Sequence, residues 1–209
     1  MSTDRHLTFF HAPNTRSAGV RLLLEELKAD YELRVLDFKK NEQHGAAYRA
    51  INPMGKVPAI LHRGALVTEQ VAISIYLSDL YPEAGLAPPL GDALRGPYLR
   101  WLSFYGSCFE PAMVDRALKR EPAPVATSPY GSYESVVDTL VQHLAQGPYF
   151  LGEQLSAADL LWGTSLNWML QFGLVPQTPV IEAYAARIAA RPAYGWVKQE
   201  DARLADSLG

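Results

Sequence analysis

Apolar and polar positions change period several times in the first eighty residues, and each change marks an element. Leu7-Thr8-Phe9-Phe10 is a short apolar run that predicts a strand, ended by His11-Ala12-Pro13-Asn14, where proline and asparagine signal a turn. Val20, Leu23, Leu24 and Leu27 fall at i, i+3, i+4 and i+7, the stripe of an amphipathic helix. Tyr31, Leu33 and Val35 then alternate with Glu32 and Arg34, as in a half-buried strand. A polar stretch from Lys39 to His44 leads into a short helix around Ala46–Ile51. Pro58–His62 and Ala65–Val67 read as two strands split by the turn Arg63-Gly64. A helix is predicted from Glu69 to about Tyr81, with Thr68 as its N-cap.

The order is βαβ-α-ββα. Strands two and three need a crossover, and strands three and four form a hairpin. The result resembles the thioredoxin architecture, a mixed four-stranded sheet with helices on its faces. Residues 82–91, rich in proline and glycine and without periodicity, predict a linker. Beyond it the helical stripes run at about 92–119, 129–146, 156–170, 178–190 and 193–205, with Pro111 expected to bend the first. The fold class is therefore α/β plus all-α. A thioredoxin-like domain over 1–81 is followed by an all-helical domain over 92–209.

Composition narrows the function without naming it. The chain has 209 residues, 48% of them hydrophobic, which supports a real core. A net charge of -3 gives no electrostatic reason for nucleic acid or an anionic membrane as partner. The one cysteine, Cys108, excludes an intrachain disulfide framework and a thiol-ligated metal cluster. No leader-like apolar run follows the N-terminus, and no apolar run approaches the ~18 residues of a membrane span. A soluble, cytoplasmic protein is expected.

Three segments carry candidate chemistry. In Asn52-Pro53-Met54-Gly55-Lys56-Val57-Pro58 a proline opens a strand directly after a turn. If the Val57-Pro58 bond is cis, the Val57 N–H and C=O can pair with a bound peptide as a one-residue strand addition. An ordinary trans-proline at a strand edge fits the spacing equally well. Glu69 and Gln70 stand at the start of a helix. The helix dipole alone accounts for an acid there. It does not account for Gln70. Read together, Glu69 would meet an α-ammonium group, while Gln70 and the helix N–H groups would hold an α-carboxylate. The loop Asn14-Thr15-Arg16-Ser17 lies where the positive end of the first helix points. A thiol near its ordinary pKa of about 8.5 is mostly protonated at neutral pH. Two units of lowering need about 2.7 kcal/mol, within reach of one donor, a guanidinium and a helix dipole. Capping by Asn14 or Thr15 is the plainer use of that loop. Ser156-Ala157-Ala158-Asp159 reads as a structural capping box. The histidines at 6, 11, 44, 62 and 143 show no metal-ligand spacing, and no metal is expected.

Together these residues resemble the cytosolic glutathione transferase family along essentially the whole chain. Pro13-Asn14-Thr15-Arg16-Ser17 precedes a Leu24-Glu25-Glu26-Leu27 helix. The string from Asn52 to Pro58 and Thr68-Glu69-Gln70 follow, and then Leu151-Gly152 with Ser156-Ala157-Ala158-Asp159. The resemblance implies a homodimer that takes glutathione as cosubstrate. It implies binding by the Val57 backbone beside a cis Pro58 and by Glu69 and Gln70, with Lys56, and Lys39 or His44, near the glycyl carboxylate. It leaves the activating residue open. No tyrosine lies near the end of strand one, and no cysteine lies in the loop. Thr15 and Asn14 rank close together, Ser17 is third, and Arg16 is electrostatic help. The expected reaction is thiolate attack on a small, apolar electrophile walled by Phe10, Tyr105 and Phe109. Glutathione-dependent disulfide or peroxide reduction is the second reading. A non-catalytic binding protein on the same scaffold is the third.

Overall fold

In the computed structural model, which describes residues 5–209, four strands form one sheet in the order β2-β1-β3-β4. They are β1 (Leu7–His11), β2 (Tyr31–Val35), β3 (Ala59–His62) and β4 (Ala65–Thr68). β1 and β2 are parallel, joined by helix α1 (Ser17–Leu27), because parallel neighbours need a crossover. β3 is antiparallel to β1 and makes a hairpin with β4. Between β2 and β3 lie a 3-10 turn (Glu42–His44) and the one-turn helix α2 (Ala46–Arg49). α3 (Gln70–Leu80) follows β4 directly.

Both faces of β1 are covered, and the period of two sorts its side chains. Phe10 faces one way, into a cluster with Tyr48 and Ala59. Leu7, Phe9 and His11 share the other face, and all three are buried. α1 packs against α3 and against α9 (Pro192–Ser207), the last helix of the chain. By its contacts α9 belongs with the sheet. One compact unit runs to Ala84 and takes in Arg191–Gly209, and the other is Gly85–Ala190. This departs from a helical domain over 92–209. The reason is specific pairing. Arg191 grips Glu26 with two hydrogen bonds of 2.6 Å, and Arg21 donates to Asp201 at 2.9 Å. None of these pairings leaves a periodic trace in the sequence.

The second unit is helical, with α4 (Arg95–Phe104), α5 (Glu110–Ala117), α6 (Tyr133–Leu144), α7 (Ala157–Gln171) and α8 (Pro179–Ala189). The helix expected over 92–119, with a bend at Pro111, carries a π-helical segment, Tyr105–Phe109. There the Glu110 amide bonds the Tyr105 carbonyl five residues back. Pro111 explains the break, since it has no N–H and its ring would meet the carbonyl four residues before it. Trp162 anchors the core, against Trp101, Phe109 and Phe150. The capping aspartate at the start of α7 is structural, as read from sequence. The Asp159 carboxylate accepts hydrogen bonds from the Ser156 amide and hydroxyl, the Phe150 amide and the Tyr184 hydroxyl. Among the described residues no helix is long and apolar enough to cross a membrane.

Candidate functional site

The turn before β3 is assembled to present one stretch of backbone. The Val57-Pro58 peptide is cis. The Lys56 carbonyl is fixed by the Tyr48 hydroxyl at 2.7 Å and the Asn52 amide at 2.8 Å. Gly55 has φ of 61°, and a Cβ there would stand 2.6 Å from both the Gln43 carbonyl oxygen and the His44 ring. Only glycine fits, and it brings the exposed His44 against the turn. Among the described residues, neither the N–H nor the C=O of half-buried Val57 has a hydrogen-bond partner. A buried or half-buried backbone pair left open in this way is suited to an extended peptide.

Glu69 and Gln70 sit differently from expectation. Thr68 is the last residue of β4, paired with Ala59, so it is not the cap. Glu69 itself is the N-cap of α3, at φ 66° and ψ 122°. A non-glycine residue is rarely held there, and such backbone clusters at ligand sites. Its carboxylate is exposed and has no partner among the described residues. Gln70 is the first helical residue and is buried. Its amide nitrogen donates to the Arg16 carbonyl at 3.0 Å, which ties α3 to the loop before α1.

In that loop Asn14 is exposed, with φ of 58°, a left-handed conformation that asparagine tolerates. Arg16 is the N-cap of α1 and is exposed. Thr15 is half-buried. Its hydroxyl lies 2.7 Å from the Ala12 carbonyl and 2.7 Å from the Ser17 hydroxyl, and accepts from the Ser17 amide at 3.3 Å.

A family model for the N-terminal domain of glutathione S-transferases matches residues 5–79, and one for their C-terminal domain matches residues 123–192. A glutathione transferase from Methylococcus capsulatus is 30% identical, with 94% of this chain and 99% of that one covered at a TM-score of 0.80. A sphingomonad glutathione S-transferase, solved with glutathione, is 31% identical over 93% and 98%, at a TM-score of 0.77. Glutathione S-transferase GstA of Escherichia coli O157:H7 is 27% identical over 97% of this chain and 100% of its own length. The chain belongs to the glutathione transferase family.

Within this glutathione transferase, the sequence-predicted residues do not all fall in one place. Val57, Pro58, Glu69, Gln70, Asn14, Thr15 and Arg16 are all carried by the sheet unit, on the β3 entry, the start of α3 and the α1 entry. Lys56 and His44 are exposed at the turn that ends on Val57. Lys39 is exposed too, but its ammonium group is engaged by the carbonyl of Gly209. Ser17 is corrected. It is the first residue of α1 and has no exposed surface, so it cannot touch a ligand. The apolar wall is corrected as well. Phe10 packs in the sheet cluster, while Tyr105 and Phe109 are buried against Trp162 in the helical unit. Aromatic side chains this deeply covered hold cores together and leave no face for a substrate. Among the described residues no cluster of His, Cys, Asp or Glu is placed to hold a metal.

Sequence reasoning missed what stands behind Thr15. The Ser17 hydroxyl lies 2.8 Å from His11 Nδ1, and His11 Nε2 lies 3.0 Å from an Asp201 carboxylate oxygen. Arg21 donates to that same oxygen. Ser17, His11, Arg21 and Asp201 are all buried. The one available signal was the alternation of β1, which puts His11 on the face of Leu7 and Phe9. Asp201 is 190 positions away and carried none.

Proposed function

We propose that this glutathione transferase binds glutathione along the Val57 backbone and holds its sulfur as a thiolate beside Thr15, for attack on a small apolar electrophile. Glu69 meets the α-ammonium of the γ-glutamyl end. The second N–H of the Gln70 amide and the open amides of the first turn of α3 meet its carboxylate. Lys56 and His44 are near the glycyl end. Thr15 is preferred over Asn14 because its hydroxyl is half-buried and held in place. Arg16 and the α1 N-terminus add positive potential. A homodimer in the cytoplasm is part of this reading.

The observation that supports it most is the hydrogen bond from Gln70 to the Arg16 carbonyl. It joins the charged-end clamp to the activating loop, so a ligand gripped at Glu69 keeps a defined distance to Thr15. Positioning and thiolate stabilisation are then enough for the reaction.

The test is calorimetric titration with glutathione, using Glu69→Ala as the control, followed by assays on an aryl halide and on a glutathione mixed disulfide. Glu69→Ala should weaken binding by about 1.5–3 kcal/mol, the range for a charged hydrogen bond, or roughly 10–150-fold. No binding at millimolar glutathione would leave only the scaffold reading. Turnover of the disulfide alone would assign the reductase.

A further inference from the structure

We propose that the thiol proton of bound glutathione is not lost to solvent but passes through Thr15 and Ser17 to His11, where Asp201 stabilises it. This rests on the assignment of Thr15 to the sulfur. It goes further by naming a base that never touches the substrate, with Ser17, His11, Asp201 and Arg21 as positioning residues.

The argument is an accounting of donors and acceptors. Each hydroxyl has one proton to give and lone pairs to receive. Asp201 is paired with Arg21 at 2.9 Å, and as the partner of a guanidinium its carboxylate is acceptor-only. His11 Nε2 must therefore carry a proton to donate to it at 3.0 Å. In the neutral ring Nδ1 is then an acceptor, and Ser17, 2.8 Å away, donates to it. Ser17 is thereby committed, so Thr15 gives its own proton to Ser17 or to the Ala12 carbonyl, each 2.7 Å away. In this resting state Thr15 has lone pairs for an arriving S–H but no proton left for a thiolate.

Moving one proton along the chain reverses every polarity. The S–H bond breaks and its proton joins the Thr15 oxygen. The former Thr15 proton joins the Ser17 oxygen, and the former Ser17 proton joins His11 Nδ1. One S–H bond is lost and one N–H bond is formed, with no oxidant or further reactant. His11 is now an imidazolium that donates to Ser17 and to Asp201. Ser17 donates to Thr15, and Thr15 donates to the thiolate. The end state is the one that thiolate stabilisation requires. A fully buried imidazolium is costly without an opposite charge, and Asp201 supplies it. The other charged groups near this pair are Arg21 on α1 and Glu200 on α9. Glu200 lies 3.9 Å from Arg21 and is held outward by Arg203.

A histidine serving only to pack α9 on the sheet would sit in one protonation state throughout. The experiment measures three quantities on the whole wild-type protein as glutathione is added near pH 7. They are the ultraviolet absorbance of the thiolate, the protons released to an indicator dye in weak buffer, and the ring nitrogen shifts of 15N-labelled histidine. His11→Gln assigns the His11 signals. The expected result is a thiolate signal with well under one proton released per thiolate, and a His11 ring that goes from singly to doubly protonated. One proton released per thiolate, or a ring already doubly protonated without glutathione, overturns the relay and leaves thiolate activation by Thr15 intact. Glutathione bound with no thiolate signal overturns the activation reading and the relay with it. Ser17→Ala cuts the chain without touching the Asp201 pairing. Its residual thiolate should fall about tenfold at neutral pH and release its proton to the dye. An unchanged proton count in a folded Ser17→Ala protein also overturns the proposal.

Discussion

Replacing Thr15 by valine removes one hydroxyl at nearly constant volume, and the structure sets the size of the effect. A hydrogen bond to a charged acceptor contributes about 1.5–3 kcal/mol. Thr15 does not deliver all of it, because turning its proton toward sulfur takes it from the Ala12 carbonyl at 2.7 Å. The Ser17 hydroxyl, whose one proton goes to His11 or to Thr15, does not replace that bond. The low end, about 1.5 kcal/mol, is therefore the appropriate figure, and it equals roughly one pKa unit on the bound thiol. The assay is kcat/KM for an aryl halide from pH 5.5 to 9.5. At the acid end Thr15→Val should be about tenfold slower, and its inflection should lie about one unit higher. Above that inflection the two curves should meet, since a thiolate of higher pKa is intrinsically at least as nucleophilic. Thr15→Ser should track the wild type. A Thr15→Val curve that is lower by the same factor at every pH, with its inflection unmoved, would refute the reasoning. Thr15 would then be positioning the substrate and not stabilising its anion.

Further outcomes test the frame around the site. An alanine Cβ at Gly163 in α7 would stand 2.3 Å from Cγ1 and 2.5 Å from Cβ of the fully buried Ile188 in α8. Overpacking of up to about 3 kcal/mol, less about 1 kcal/mol of helix propensity, leaves Gly163→Ala destabilised by about 2 kcal/mol. Urea unfolding should show this as a lower midpoint at unchanged slope. The Tyr31 hydroxyl donates to Glu25 at 2.6 Å, and burial together with that carboxylate pushes its pKa up to about 12. The folded state therefore keeps a proton that the unfolded chain gives up near pH 10. Stability from this group is complete below about pH 10 and is lost as pH rises toward 12. Since the ring is only half-buried, screening cuts the loss to roughly 1–2 kcal/mol, and Tyr31→Phe should flatten that part of the stability profile.

What could be read from the sequence was what is local. The alternation over Tyr31–Val35, the stripe from Val20 to Leu27 and the Arg63-Gly64 turn placed the sheet and its helices, because burial of one face imposes a period on neighbouring residues. The turn before β3 was legible for the same reason. Asn52, Gly55, Val57 and Pro58 act within seven positions of one another, and each has a backbone role that its residue type reveals. Reading failed where a contact joins distant residues. Thr68 looked like a helix cap, but pairing with Ala59 drew it into the strand. Tyr105 and Phe109 looked like a pocket wall, and only the packing around Trp162 shows them to be core.

The same distinction bears on how this chain, with no tyrosine near the end of β1 and no cysteine in the loop after it, could activate a thiol. A hydroxyl such as that of Thr15 is a weak acid and a weak base, and alone it can only donate to a thiolate that has formed by other means. Behind this loop stands a buried row, which ends at His11 on β1 and Asp201 on α9. The residues proposed to hold glutathione by its peptide and charged ends lie between His44 and Gln70. The groups that could take up the thiol proton are separated by 190 positions and meet only because α9 returns to the sheet unit. A truncation before Pro192 would leave Val57, Pro58, Glu69 and Gln70 in the chain. It would also remove the carboxylate that pairs with Arg21 and His11, and the helix that packs against α1. The last helix is therefore expected to govern folding and thiol activation together, and Ser17→Ala, which leaves the Asp201 pairings in place, is the way to separate them.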